Sequence, residues 1–249
     1  MNVRCLPCVG LLITALISGL GLAQAKNEPS GTYAKHALDL WSQIAGGSTA
    51  IVIPSPDSQS QVLARYTESN GDGRVLLEVS GHVGLLNVDI GPGVGSEMLW
   101  APDSKAFFVT TSDQGLNGSY RVIVVSKIGD QLTKEDISPL IYETFGHPVK
   151  CGWSEVPNVG GVAWLGPDHL LVAAEIVNHS NCDSFGTFQA YEIDTRQMKV
   201  LNRYDQLQAK HQFASFLGTE LVNAPDECVH DPKSCYVSTN HPKNSDLTP

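Results

Sequence analysis

"WAPDSKAFFVTTSD", Trp100 to Asp113, decides how the rest of the chain is read. A Pro-Asp pair stands between an apolar, aromatic-ended segment and a run of β-formers. Pro presets φ at the first corner of a tight turn, and the Asp side chain accepts a hydrogen bond from the backbone just downstream. One strand therefore leads into Pro102 and another leads out of Asp103. The pattern recurs: "IPSPDSQSQVLARYT" from Ile53 holds Pro56-Asp57, and "AWLGPDHLLVAAEI" from Ala163 holds Pro167-Asp168. The first two aspartates are 46 residues apart, the second and third 65. A spacing in the forties marks a repeated supersecondary unit.

The intervening stretches fill in that unit. After Asp103 come "AFFVTTSD", the loop "QGLNGS", "YRVIVVSK" and a turn at "IGDQ"; after Asp168 come "LLVAAEIV", a loop holding Cys182, "TFQAYEID", a turn at "TRQ" and "MKVLNRYD". With the strand ahead of the Pro-Asp turn, each unit has four antiparallel strands. The expected fold is all-β: a small or partial β-propeller of four-stranded antiparallel blades, with one or two short helices. A two-sheet β-sandwich is the alternative, because turns at this spacing fit both.

Trp100-Ala101-Pro102-Asp103-Ser104-Lys105 resembles the WD40-like, Pro-Asp type propeller repeats of TolB-like proteins and of prolyl-peptidase propeller domains. Ser104 stands where those repeats usually have Gly. Residues 54–58 lack the aromatic, and residues 164–169 lack the small polar residue and the Lys. The resemblance covers about Ala50 to Asp205 and implies a binding scaffold. It implies no catalysis, since those peptidases carry their triad on a separate hydrolase domain. The 65-residue interval requires an insertion, which Ser138 to Gly161 supplies.

The chain opens with the three parts of a secretory signal peptide: Arg4, an apolar run from Val9 to Leu22, and Ala23-Gln24-Ala25 as a small-x-small cleavage site. Residues 1–25 are read as this signal, residues 26–240 as one propeller-like domain and residues 241–249 as a flexible tail. Glycines at 10, 19 and 21 interrupt the apolar run, which argues against a stable membrane anchor. The expected location is periplasmic or secreted. Cys5 and Cys8 leave with the signal, and Cys151, Cys182, Cys228 and Cys235 remain. An even number in an exported chain points to two disulfides, with proximity favouring 151–182 and 228–235 among three connectivities. No two of the four have the tight knuckle spacing of structural zinc, so no metal is expected. Division of the mature length by the 46-residue spacing gives just under five blades.

A formal net charge of −10, with no Lys/Arg cluster, excludes a nucleic-acid role. "TYAKHALDLWSQIAGG" (Thr32 to Gly47) and "YDQLQAKHQFASFLG" (Tyr204 to Gly218) read as helices; the second is expected to bury Leu207, Phe213 and Leu217. "ESNGDGRVLLE" (Glu68 to Glu78) imitates a calcium loop, but Val79 stands where a bidentate carboxylate is needed and the Asn-Gly and Asp-Gly pairs read as a hairpin turn. Glu135-Asp136 is expected in an exposed turn. Ser96 lacks the glycine that a nucleophile elbow requires.

No cofactor is expected. Function is read as an exported binding or interaction module for a protein partner or small ligand of the envelope. Tyr120 and Phe185, beside the two long loops, are the expected binding residues. An exported hydrolase or lyase assembling His147, His179, Asp183 and His211 across loops is the alternative.

Overall fold

The computed structural model describes residues 31–45, 50–69, 72–81, 84–112, 119–128, 131–145, 156–177 and 185–225. A two-residue strand β1 (Leu38–Asp39) and helix α1 (Leu40–Ala45) precede three antiparallel sheets. The first sheet holds β2 (Ala50–Pro54), β3 (Gln61–Ser69), β4 (Asp72–Gly81) and β5 (Gly84–Asp89) in sequence order. The second holds β6 (Glu97–Trp100), β7 (Ala106–Ser112), β8 (Tyr120–Ile128) and β9 (Gln131–Asp136), with β1 added beside β6. Helix α2 (Ser138–Thr144) leads to the third: β10 (Asn158–Trp164), β11 (His169–Glu175), β12 (Phe188–Asp194) and β13 (Lys199–Tyr204). Helices α3 (Gln206–Gln212) and α4 (Thr219–Asn223) follow.

Each Pro-Asp turn joins the first and second strands of a sheet, and the first two turns are built alike. Ser58 N–H donates to Ser55 O at 2.8 Å and Ser104 N–H to Ala101 O at 3.0 Å, which places Pro56 and Pro102 at the first corner. Asp57 Oδ1 accepts from Gln59 N–H and Asp103 Oδ1 from Lys105 N–H. Ser58 and Ser104 then take positive φ, 60° and 64°. Left-handed backbone of this kind is the conformation that Gly adopts without strain. The third turn is one residue shorter, and Asp168 is used differently: its Oδ1 meets Arg196 Nε at 2.7 Å.

The sheets stack in series, always in the same sense. Counted from the turn aspartate, Val62, Phe108 and Ala173 are equivalent and face the next layer, while the successors Val109 and Ala174 face the previous one and Leu63 lies on the outward face of the first sheet. Val62, Ala64, Val75 and Leu77 of the first sheet pack on Met98, Phe107, Val109 and Val125 of the second. Phe108, Val122 and Val124 on its other side pack on Val159, Leu170, Val172 and Tyr191 of the third. The remaining face of the third sheet, with Leu171, Ala173 and Ala190, lies under Ala209, Leu217 and Leu221 of the C-terminal segment. There are three layers rather than the two of a sandwich, none closed on itself. Three four-stranded units, against the nearly five expected from length, lie within the described residues.

Helix positions needed correction. Among the described residues of the first expected helix, only Leu40–Ala45 is helical; Ala34 instead bridges to Leu217 and Leu38–Asp39 pairs with Met98 and Glu97. The segment's N–H groups are drawn to partners outside it, as the next subsection describes. In the second, Asp205 and Gln208 form a capping box that starts α3 at Gln206. That start turns Gln206 and Ala209 inward and leaves Leu207 63% exposed, against expectation, while Leu217 is buried as expected and Phe213 half-buried. Helix α2 was missed inside the expected insertion, although Ile137, Ile141 and Phe145 repeat at helical spacing and are all buried. Glu135 and Asp136 are exposed as expected but end strand β9. Ser69 pairs with Asp72, as the hairpin reading requires.

Gly161 marks a close approach between the second and third sheets. A Cβ there would lie 2.5 Å from the Phe108 ring, and its N–H donates to Thr110 Oγ1 at 3.0 Å. Gly161→Val is expected to destabilise by about 1–3 kcal/mol through overpacking, and Phe108→Ala by about 3–5 kcal/mol through the cavity left behind. Leu207→Ala should stay within about 0.5 kcal/mol of the parent. Denaturant unfolding of the three variants checks the order.

Candidate functional site

In each sheet the first strand begins, and the second and third are joined, at one end; the Pro-Asp turns occupy the other. Tyr120 N–H donates to Asn158 Oδ1 at 3.1 Å, tying the start of β8 to the start of β10 across that loop end. Here the segment 31–36 crosses the second and third sheets. Its backbone is held by the C-terminal segment: Gly218 N–H donates to Tyr33 O at 2.8 Å, Glu220 N–H to Thr32 O at 3.0 Å and Lys35 N–H to Phe216 O at 2.9 Å.

Two buried acids hold the same segment from beneath. Glu97, at the start of β6, accepts the N–H groups of Tyr33 and Ala34 on Oε1, each at 3.1 Å. Burial pushes its carboxyl up to about 8, against the downward pull of those N–H groups and that of Thr32. Glu175, at the end of β11, accepts the Tyr33 hydroxyl on Oε2 at 2.9 Å. Burial, and then the neighbouring Glu220 carboxyl, push Glu175 up to about 8 as well. The Glu175 carboxyl is also hydrogen-bonded to that of Glu220, which adds to the same upward push. Tyr33 rises well above the usual phenol range, first through burial and then through Glu175. The Tyr120 ring lies 5.5 Å from that of Tyr33, tilted by 57°.

Chemically the cluster sets a phenol beside a buried carboxyl that holds its proton more tightly than usual. Tyr33 is 1% exposed and Glu175 2%, so this phenol and this carboxyl are turned into the fold, where they tie chain segments together. Among the described residues, no group of three His, Cys, Asp or Glu side chains is arranged to hold a metal.

Of the binding residues expected from sequence, Tyr120 is buried against Tyr33 and Phe185 is exposed beside the β11–β12 connection. His211 is exposed near the end of α3. His147, His179 and Asp183, the cysteines Cys151, Cys182, Cys228 and Cys235, the signal segment and the tail lie outside the described residues. Glu97 and Glu175 escaped the sequence reading, although each is a lone acid in an apolar strand, "SEMLW" and "LLVAAEIV". A charge at a core position was the available signal.

No family model and no curated protein matches this chain. Among solved structures it is similar to Pyrococcus horikoshii acylaminoacyl peptidase (orthorhombic crystal form), with a TM-score of 0.31 and 12% identity over 59% of this chain. The matched part spans 23% of the peptidase.

The raised carboxyls set the sign of a pH dependence. The folded protein keeps protons on Glu97 and Glu175 that an unfolded chain releases above the ordinary value of 4.5, so their contribution is complete below that value and is lost as pH rises through about 8. Melting temperature should fall across that window. Glu175→Gln, which can still accept from Tyr33 and donate to Glu220, should flatten the fall without unfolding the protein; calorimetry at stepped pH reads both.

Proposed function

We propose that this chain is an exported binding module, built as an open sector of a β-propeller whose three sheets are blades and whose loop end engages a protein partner or small ligand of the envelope. The observation that carries the reading is the serial, same-sense stacking of three four-stranded units, each with a Pro-Asp turn between its first two strands. Radially arranged blades stack this way, leaving one end of every sheet free for loops on a rigid base. The signal-like residues 1–25 and the cysteine pairs read from sequence support export. The buried acids at the loop end are engaged within the fold, which favours binding over catalysis. Phe185 is the aromatic we assign to the contact surface, with Tyr120 supporting it from within.

The test is a cross-linked pull-down from the native envelope, using the chain from Lys26 in oxidised form beside a reduced, alkylated control. Phe185→Asp should lower capture of a specific partner about ten-fold or more while leaving the melting curve unchanged, as removal of an interface anchor does. Leu207→Asp, an exposed change on α3, should leave capture intact. Equal capture by the Phe185 variant would remove the loop-end assignment.

A further inference from the structure

Between the second and third sheets, at the Pro-Asp end, lies a cleft of about 130 Å³. An apolar protein cavity of roughly 150 Å³ accommodates benzene, so this space suits a body of about that size. Its second-sheet wall follows from strand alternation. Val124 faces the third sheet, and Ser126, two residues on, leaves β8 on the same side. Glu135 pairs with Val124, and both Ala106 and Thr133 pair with Ser126, so all five share that face. Asp168 of the Pro-Asp turn, with Arg196 and Met198 of the β12–β13 turn, forms the opposite wall.

Opposite charges stand on the two walls without meeting. Glu135 is exposed and takes part in no ion pair among the described residues. Arg196 meets Asp168 through Nε at 2.7 Å, a contact that uses one of the five guanidinium N–H donors. With Lys105 and Lys127 the lining carries three cations against the two carboxylates of Glu135 and Asp168. The surface between them is apolar: Ala106 and Val124 belong to the core shared by the two sheets, and Met198 packs against it. Met198 holds a positive φ of 51°, uncommon for a long side chain, and residues kept in such backbone concentrate at ligand clamps.

We propose that this cleft binds a free amino acid with a short, branched apolar side chain. The ligand carboxylate accepts from the terminal N–H groups of Arg196. Its ammonium donates to the Glu135 carboxylate and to the hydroxyl oxygens of Ser126 and Thr133, while the side chain lies against Ala106, Val124 and Met198. A simple organic anion would meet Arg196 but face Glu135 unpaired, and a simple amine would do the reverse; a zwitterion satisfies both walls at once. The apolar surface sets such a ligand apart from inorganic ions, and the volume sets it apart from longer peptides. The cleft lies at the opposite end of the sheets from Phe185, so its failure and that of the loop-end reading are separate results.

L-Valine is the probe; isovalerate, which lacks its ammonium, and isobutylamine, which lacks its carboxylate, are the controls. In the chain carrying ¹³C-labelled methionine methyls the three methionines give three methyl resonances, and Met198→Leu assigns the one in the cleft. Valine should move that resonance saturably, and each control should bind about five-fold more weakly or worse. Glu135→Gln and Arg196→Gln should each weaken valine by about two- to five-fold, the scale of one exposed charge contact. Phe185→Asp should leave the valine titration as it is. A Met198 methyl that ignores valine, that responds equally to either control, or whose titration is unchanged in the Glu135→Gln, Arg196→Gln double variant would overturn the proposal. Met98, buried between the first and second sheets, verifies through an unchanged methyl position that each variant is folded.

Discussion

The structure depends on two adjacent aromatic residues pointing in opposite directions. Phe107 packs toward the first sheet and Phe108 toward the third, because successive side chains on a strand leave on opposite faces. All seven residues of β7 are buried, so this strand is the shared wall of two cores. A one-residue slip of its register would exchange both rings between interfaces shaped for the other. Gly161 sits where Phe108 needs room, so ring and glycine act as one fitted pair.

The two ends of the stack are finished differently. The outward face of the first sheet carries the ion pairs Arg65–Glu78 and Arg74–Asp89 and is open to water among the described residues. The outward face of the third sheet is apolar and needs a cover, which α3, α4 and Leu217 provide. Terminal repeats of stacked architectures must end in a polar face or a cap, and this chain uses one of each.

Glu97 and Glu175 show why acids are tolerated inside such a stack. Segment 31–34 brings N–H groups and a phenol into a region that would otherwise be apolar, and each needs an acceptor once water is excluded. The acids supply those acceptors and link the N-terminal segment, the second and third sheets and α4 into one hydrogen-bonded tie. The cost of burying them appears in their raised proton affinities.

The amino-acid sequence by itself determined the strands, the Pro-Asp turns and the four-strand unit, because those rest on local signals: side-chain alternation, Pro at a first corner, Asp turned back on the next N–H. It also carried α2 and the two acids in plain sight, as Ile137, Ile141 and Phe145 at helical spacing and as charges inside "SEMLW" and "LLVAAEIV". Leu207 was misread because a capping box fixes helix phase through backbone geometry that hydrophobic spacing does not report. Residues 33–35 were misread as helix because their N–H groups bond to Glu97 and to Phe216 O, partners far away in the chain. Only the tertiary structure decided which residues face which sheet, how residues 31–35 and 216–220 meet around Tyr33, and that Trp100 is left without the acceptor its counterpart Trp164 has. Those outcomes depend on contacts between residues tens to hundreds of positions apart, and such contacts leave no periodic mark in the sequence.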